Sequence, residues 1–486
     1  MPSTLLCATV TADSMAELRH RRDEVQGADL VELRLDGIRD LNVAGALAGR
    51  RLPVIATVRP ARQGGRYDGD EMVRVALLEQ AWTLGADYVD VEDGAAESLM
   101  RLSHGARIVR SFHDFEGVPA DAADRLRRLL ASGAQFVKLA AMARRLSDVV
   151  ALADIARLAD GRAVVIGMGP CGAASRVLAA HLGSPWTYAG DGIAPGQLSL
   201  ARMRDEFHVP AITAATAVYG LVGRPIEHSL SPAMHNAAFR AAGLDAVYVP
   251  LPAADFADFE AFARAFAVRG VSVTAPYKLD ARRAAGAAAD DSGLGAVNTL
   301  RRTGDGWAGR NTDVEGFLAP LEGRELRGAR ASVIGAGGAA RAVATALASR
   351  GADVRLHARR ADAAAAAAAA CGVAAGAWPP AGDWDVLVNA TPVGTTPHDE
   401  AEPIVLDGPL TGRLVYDLVY HPPETALLRR ARRLGADVIG GLPMLVAQAA
   451  AQFHWWTGHR PSTSLMLDAA RTRLAAEASP FPVPFV

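Results

Sequence analysis

A lysine stands inside an apolar run, Gln135-Phe-Val-Lys138-Leu-Ala140, and a histidine ends the preceding run, Arg107 to His113. Apolar neighbours penalise the charged form of an amine and lower its pKa from about 10.4 toward neutrality. A neutral amine attacks a ketone, and a histidine on the adjacent strand can shuttle protons while an imine forms, hydrolyses or directs an elimination. Taken singly, His113 is more simply a satisfied core residue; beside Lys138 it points to carbonyl chemistry. Glu32 and Arg34 lie two apart in Leu30 to Leu35, so they share one strand face while Val31, Leu33 and Leu35 share the other. They make either a solvated ion pair on an edge strand or one wall of a polar pocket. Arg59 ends the run Pro53 to Arg59 and could join them.

The second half carries a different chemistry. Ala331 to Ile334 reads as a buried strand, and Gly335-Ala336-Gly337-Gly338-Ala339-Ala340 follows as GxGxxA before a helical run, Arg341 to Ser349. In that setting the first glycine makes the tight turn, the second lets a pyrophosphate approach the backbone, and Ala340 permits close packing on the sheet. An NAD site usually presents an acidic residue at the end of the next strand; here Asp353 to His357 leads into Ala358-Arg359-Arg360, which suits a 2′-phosphate and therefore NADP(H). Lys278 ends Val271 to Lys278, and Asp313 ends Gly309 to Asp313. A buried Lys and Asp can hold a hydroxyl and move its proton while hydride moves elsewhere, although as bare residues they more often form an ordinary ion pair. Ser229 and Ser231 stand before Pro232, which fits a helix N-cap, a carboxylate site at a helix N-terminus, or both.

These side chains need elements to place them. Eight strand-like runs recur in about the first 210 residues, at Leu5, Leu30, Pro53, Tyr88, Arg107, Phe136, Ala163 and Thr187, with helical segments between them. That repetition predicts a small (β/α)8 TIM barrel, whose chemistry sits at the C-terminal strand ends. Arg204 to Phe239 divides the chain, with Asp205 to Thr216 as a short connection rather than a flexible linker. The predicted boundaries are 1–212 for the barrel, 217–320 for an α/β substrate domain in which strands and helices alternate, 321–445 for a Rossmann NADP-binding domain and 446–486 for returning helices. The alanine run at 363–370 reads as a covering helix.

Composition limits the partners. The chain has 486 residues, half of them hydrophobic, and 51 basic side chains against 53 acidic ones, so it offers no basic field for nucleic acid. Cys7, Cys171 and Cys371 are far apart, with no CxxC, which argues against a disulfide framework or a zinc site. No apolar stretch is long enough to span a bilayer and no presequence is visible at Met1 to Val10, so a cytoplasmic enzyme of small-molecule substrates is expected.

Ordered motifs then carry two resemblances. From Leu5 to Arg204 the chain resembles type I 3-dehydroquinate dehydratases, through Glu32-Leu-Arg34, Thr57-Val-Arg59-Pro before Gly64-Gly65, Ser111-Phe-His-Asp-Phe115, the Lys138 strand, Ser175-Arg176 and Ala194-Pro-Gly-Gln197. That resemblance implies a Schiff base on Lys138, His113 as acid and base, and Glu32, Arg34, Arg59, Arg176 and Gln197 as binding residues, Arg176 toward a carboxylate. Gln63 and Ile193 depart from the family pattern, each removing a polar group near the lid. From Val218 to about Arg473 the chain resembles shikimate dehydrogenases, through Ser229-Leu-Ser231-Pro-Ala-Met-His-Asn236, Val273-Thr-Ala-Pro-Tyr-Lys278, Asn311-Thr-Asp-Val-Glu-Gly-Phe317 and Gly441-Leu-Pro-Met-Leu-Val-Ala-Gln448. It implies Ser229 and Ser231 on the substrate carboxylate, Thr274, Asn298, Asp313 and Gln448 on hydroxyls, Lys278 with Asp313 as the catalytic pair, and Tyr420 closing the pocket. Asn389, Thr391 and Gly441 are placed beside the cofactor, where Thr395 replaces a methionine usual in the family. The expected product of the first half, 3-dehydroshikimate, is the expected substrate of the second, which makes shikimate. A quinate-preferring second half and a non-catalytic metabolite sensor are the alternatives; the serine pair argues against the first, and retention of Lys138, His113, Lys278 and Asp313 against the second.

Overall fold

The computed structural model describes residues 4–94, 107–190, 192, 194–290 and 293–478. Contacts group these into two compact units, one built on Met1–Pro232 with Asp245–Val268, the other on Ala233–Leu244 with Arg269–Glu477.

In the first unit eight strands form one parallel sheet: β1 (Leu5–Thr11), β2 (Leu30–Arg34), β3 (Val54–Thr57), β4 (Tyr88–Glu92), β5 (Ile108–Asp114), β6 (Phe136–Met142), β7 (Ala163–Met168) and β8 (Trp186–Ala189). The order β7-β6-β5-β4-β3-β2-β1-β8 makes a near-closed barrel, and the seam between β7 and β8 is bridged where Val165 N donates to Ser184 Oγ at 3.1 Å. Among the described residues helices lie between most neighbouring strands, one of them Glu71–Thr83, whose N-terminus is capped by Asp70 accepting from Met72 and Val73. Inward residues split by level. Cys7, Leu30, Ile55, Val109, Val164 and Trp186 fill one layer, with Phe136 and Trp186 rings 4.8 Å apart. Toward the strand C-termini the inward residues turn polar, and the register sets Thr9 against Glu32, Thr57 against Asp90 and Ser111 against Lys138. Alternation along each strand does this, because every second side chain must face the barrel axis.

The same unit continues through the turns Arg202–Glu206 and Val209–Ala211, so the expected plain connection is partly helical. It then pairs β9 (Ala217–Val222) in parallel with β10 (Ala246–Leu251). The helix after β10, Phe256–Ala265, packs on the barrel helix Leu146–Arg157.

The second unit opens with β11 (Gly270–Val273), β12 (Ala289–Asp290), β13 (Thr299–Thr303) and β14 (Gly306–Arg310). Strictly alternating strands and helices are not found here: β13 and β14 form an antiparallel hairpin, and β13 runs antiparallel to β11. Its turn, Thr303-Gly-Asp-Gly306, places Gly304 at φ +57, a left-handed geometry that glycine adopts without strain. A parallel sheet follows, made of β15 (Arg330–Ile334), β16 (Asp353–His357), β17 (Ala374–Ala375), β18 (Val386–Asn389), β19 (Leu414–Asp417) and β20 (Asp437–Ile439), in the order β17-β16-β15-β18-β19-β20. The chain reverses direction across the sheet between β15 and β18, and the crevice outside that switch point is where such sheets take ligands. Helix Gly338–Ser349 covers the sheet through Ala340, Val343 and Leu347, and the alanine-rich stretch is a helix, Ala361–Cys371, as expected.

Candidate functional site

The barrel places Lys138, His113, Glu32, Arg34, Arg59, Arg176 and Gln197 around one cavity of about 90 Å³. Its charge arrangement differs from the sequence expectation. The surroundings of Lys138 are not apolar: its Nζ lies 2.7 Å from Asp90 and 3.2 Å from Glu32, over the ring of Tyr188 at 4.6 Å. Arg59 is 2.9 Å from both Asp90 and Glu92, and Arg74 closes the chain on Glu92 at 2.5 Å. Three cations thus face three carboxylates in a water-poor interior, and removing any one leaves an uncompensated buried charge costing about 3–5 kcal/mol. Burial alone would raise Asp90, but Arg59 and Lys138 hold its carboxyl far below the usual carboxylate range. Glu32 and Arg34 do not pair with each other. Arg34 binds Asp36 in a fork at 2.8 and 2.9 Å, while Glu32 accepts from Thr57 at 3.0 Å and meets Lys138. Asp90, Glu92, Ser111 and Thr9 were not singled out from sequence. The signal was present, since Asp90 and Glu92 alternate along Tyr88-Val-Asp-Val-Glu92 as Glu32 and Arg34 do.

His113 closes the cavity. Burial first, then the charges of Arg59 and Lys138, hold its imidazole well below the ordinary histidine range despite the opposing Asp90, so it is neutral near pH 7 and can accept a proton. Gln63 keeps a polar contact instead of losing one: its Oε1 lies 3.2 Å from His113 Nδ1, and its Nε2 donates to the Asp93 carbonyl at 3.4 Å. With the amide turned this way, Nδ1–H donates to Gln63 and the Nε2 lone pair is left for chemistry. Arg59 Nη1, 3.4 Å from Nδ1, is already committed to Ser111 at 2.8 Å. Gln63→Glu puts a carboxylate against the ring and favours its protonated form, against Arg59, Lys138 and Arg34, which disfavour it. The acid limb of kcat/KM for dehydration is therefore expected to move to higher pH, and a pH–rate profile that does not move would remove Gln63 from the ring.

Arg176 differs from the other cations. It is buried on the helix Gly169–Val177, its sole hydrogen bond among the described residues is from Nη2 to the Pro195 carbonyl at 3.5 Å, and burial brings its pKa down to about 10. A buried guanidinium without a carboxylate, facing a cavity, is suited to an anionic ligand. Gln197 sits beside it, Oε1 accepting from Ala194 N at 3.1 Å and Nε2 reaching Thr9 at 3.5 Å. Ile193 lies outside the described residues.

In the second unit Lys278 Nζ lies 2.6 Å from Asp313 Oδ2. Asn298 holds the other oxygen, its Nδ2 donating to Asp313 Oδ1 at 2.7 Å, while Thr312 N donates back to Asn298 Oδ1 at 2.9 Å. Asp313 opens the helix Asp313–Leu318, where a carboxylate is favoured. A Cβ on Gly316 would come within 2.6 Å of Gln448 Cβ, so glycine lets this helix lie against Gly441–Thr457 at Gln448. Thr274 starts the turn before Lys278, its carbonyl accepting from Tyr277 N at 3.0 Å, and Tyr420 is half-buried beyond β19. Ser229 and Ser231 belong to the first unit. The helix Ser231–Ala241 begins at Ser231 itself, so Ser231 is not outside it as a cap; Ser229 Oγ accepts the Ser231 N–H at 3.2 Å.

The switch-point crevice holds a cavity of about 650 Å³ lined by Gly335, Ala336, Gly337, Ala358, Arg359, Arg360 and Thr391. Gly335 has φ +128 and packs against Ala340, whereas a side chain on Gly337 or Gly338 would meet open space, the room a diphosphate needs. Ala339 follows in the first turn of the helix Gly338–Ser349. Arg359 and Arg360 are exposed at the end of β16, and neither meets a carboxylate among the described residues. The residues fit a dinucleotide bearing a 2′-phosphate. Neutralising both arginines is expected to raise KM for NADPH by roughly 10-fold to 150-fold while NADH use barely changes; an equal effect on both cofactors would instead indicate damage to the fold. Two expected cofactor residues also have structural roles. Asn389 is buried with every polar capacity used, toward Asp417, Val393 and Thr391, so it shapes the loop that presents Thr391. Gly441 answers a steric need, since a Cβ there would lie 2.1 Å from the Leu418 carbonyl oxygen.

Comparisons with known proteins divide the chain between residues 214 and 221, inside the first compact unit. A family model described as Type I 3-dehydroquinase matches residues 6–214, one described as Shikimate dehydrogenase substrate binding domain matches 221–300, and one described as Shikimate 5'-dehydrogenase C-terminal domain matches 441–471. The chain is 34% identical to the bifunctional 3-dehydroquinate dehydratase/shikimate dehydrogenase, chloroplastic, of Arabidopsis thaliana, over 94% of this chain and 82% of that one. Over 54% of its length it is 42% identical to the shikimate dehydrogenase (NADP(+)) of Anaeromyxobacter dehalogenans, covering 99% of that protein. A shikimate dehydrogenase solved in complex with NADP+ superposes with a TM-score of 0.50 at 34% identity, over 54% of this chain and 97% of that one. The chain belongs to the bifunctional 3-dehydroquinate dehydratase/shikimate dehydrogenase family.

Proposed function

We propose that the barrel dehydrates 3-dehydroquinate to 3-dehydroshikimate and that the second half reduces this product to shikimate with NADPH. The observation that carries the reading is the barrel cavity, which joins an amine, a neutral imidazole and a buried guanidinium without a carboxylate partner. Lys138 attacks the ketone carbon as the free amine, the proton it sheds returns to the carbonyl oxygen, that oxygen leaves as water and an iminium remains. The iminium acidifies the neighbouring C–H, His113 takes that proton, and the hydroxyl one carbon further leaves with a proton as water. A second water hydrolyses the imine and frees Lys138, so the net change is loss of one water. Arg176 holds the substrate carboxylate, and Glu32, Arg34, Arg59 and Gln197 surround the ring.

In the second half the bound cofactor supplies hydride to the ketone carbon. Lys278 donates a proton to the oxygen that becomes the hydroxyl, and Asp313 holds the lysine in place. Ser229 and Ser231 are assigned to the carboxylate, Thr274, Asn298 and Gln448 to hydroxyls, and Tyr420 to closing the site. Domain limits of 1–212, 217–320, 321–445 and 446–486 accompany this reading; the first two lie beside the family matches over 6–214 and 221–300, whereas the match over 441–471 crosses the last limit. We also place the chain in the cytoplasm; no helix among the described residues is long and apolar enough to cross a membrane, whereas the Arabidopsis relative is described as chloroplastic. The test is a single absorbance assay. Enzyme with 3-dehydroquinate and NADPH should oxidise one NADPH for each 3-dehydroquinate consumed, and NADPH oxidation with 3-dehydroshikimate but none with 3-dehydroquinate would remove the first activity.

A further inference from the structure

The barrel helix Leu146–Arg157 follows the Lys138 strand, and its N-cap residue, Arg145, has a side chain that cannot accept a hydrogen bond. The missing acceptor comes from more than 100 residues away. Asp258, on the helix Phe256–Ala265 of the same compact unit, accepts from Leu146 N at 2.9 Å and Ser147 N at 2.8 Å, with its side chain fully buried. It also accepts from Ala254 N at 3.0 Å, so one carboxylate ties its own turn to the turn after β6. Next to it the Cys171 thiol lies 3.1 Å from the Pro252 carbonyl and 3.4 Å from that of Arg144.

These contacts lead into the barrel site. Ala143 N donates to the Met168 carbonyl and Gly169 N to the Pro195 carbonyl, each at 3.0 Å, and Pro195 O is the atom Arg176 reaches. Gly169 and Gly196 leave no space for slack, since a Cβ on Gly196 would lie 2.2 Å from the Gly169 oxygen. The helix that presents Arg176 starts at Gly169 and carries Cys171. We propose that Asp258, encoded in the reductase half, is a positioning residue for the dehydratase, holding the turns after β6 and β7 so that Arg176 meets the substrate carboxylate. The proposal rests on the function assigned above to the barrel.

Positioning of a binding group alters affinity more than the chemical step, which gives a signature that general destabilisation does not. In the full-length chain, Asp258→Ala should raise KM for 3-dehydroquinate roughly 10-fold to 100-fold, with kcat changed much less. Asp258→Asn, which keeps one acceptor oxygen, should fall between it and the wild type. Asp255→Ala is the control, because Asp255 caps the same helix Phe256–Ala265 by accepting from Asp258 N at 2.8 Å but reaches the barrel only through an exposed pair with Arg145. It should leave dehydration within about two-fold. Reduction of 3-dehydroshikimate is measured on each variant, and amide hydrogen exchange is followed at residues 143–147 and 169–172, where Asp258→Ala should speed exchange. An unchanged KM, an equal loss of both activities, or the same loss in Asp255→Ala would overturn the proposal. Slow exchange at those amides in Asp258→Ala would overturn it whatever the barrel's substrate proves to be, and an inactive wild type with fast exchange in the variant would count against the assigned activity alone.

Discussion

Lys138→Ala is expected to abolish dehydration, by about 10⁴-fold or more, because no other amine among the described residues lines the barrel cavity and the imine has no second route. The loss should fall on kcat, with Arg176 and its neighbours still able to bind. The variant also leaves Asp90 and Glu32 with Arg59 as their cation, so a stability loss of about 3–5 kcal/mol is expected and should be measured by thermal unfolding. A chemical readout separates mechanism from stability. Borohydride added to wild-type enzyme with substrate or product should reduce the imine and leave a covalent adduct on Lys138, visible as a mass increase on its peptide. An adduct on another residue would move the nucleophile, and no adduct would remove the imine. Reduction of added 3-dehydroshikimate by Lys138→Ala should stay normal, since the second unit carries its own lysine.

Lys278→Ala should do the converse, lowering reduction by about 10²-fold to 10⁴-fold while dehydration persists. Asp313→Asn should lose nearly as much, and the double variant little more than either single one, because two groups that move one proton act as a unit. The geometry is specific about this. Asp313 is held on one oxygen by Asn298 and offers the other to Lys278, so the lysine is placed through the aspartate. Stopped-flow measurement of NADPH oxidation with 3-dehydroshikimate checks the prediction, and strictly multiplicative losses would count against a shared role. Mixing Lys138→Ala with Lys278→Ala should restore conversion of 3-dehydroquinate to shikimate, because 3-dehydroshikimate released by one molecule can enter another.

The fold was legible in the sequence wherever a local period carried it. Eight alternations of strand and helix predicted the barrel, and the strands at Tyr88, Phe136 and Ala163 start where expected. Gly335 to Ala340 predicted its strand, turn and helix, since the turn needs Gly335 at a φ of +128, which glycine adopts without strain. The hairpin Thr299–Arg310 went unread although its Gly-Asp-Gly turn was in view, because the expectation of parallel repeats outweighed a local turn signal.

The sites divide along the same line. Residue types and spacing made Lys138, His113, Lys278 and Asp313 candidates, and the two family resemblances gave them their expected roles. Their partners were not legible in this way, because a partner is chosen by strand register and helix packing. Register brings Asp90 and Glu32 to Lys138 and makes an apolar-looking strand the centre of a charge network. A two-residue reach gives Arg34 to Asp36 rather than Glu32, and packing across more than 100 residues gives Asp258 to Leu146 and Ser147. By itself the sequence determined which groups could react, because covalent chemistry and strand period are local. Only the tertiary structure decided which charges they meet, because in a water-poor interior that depends on distances of 3 Å between residues whose separation along the chain says nothing about their contact.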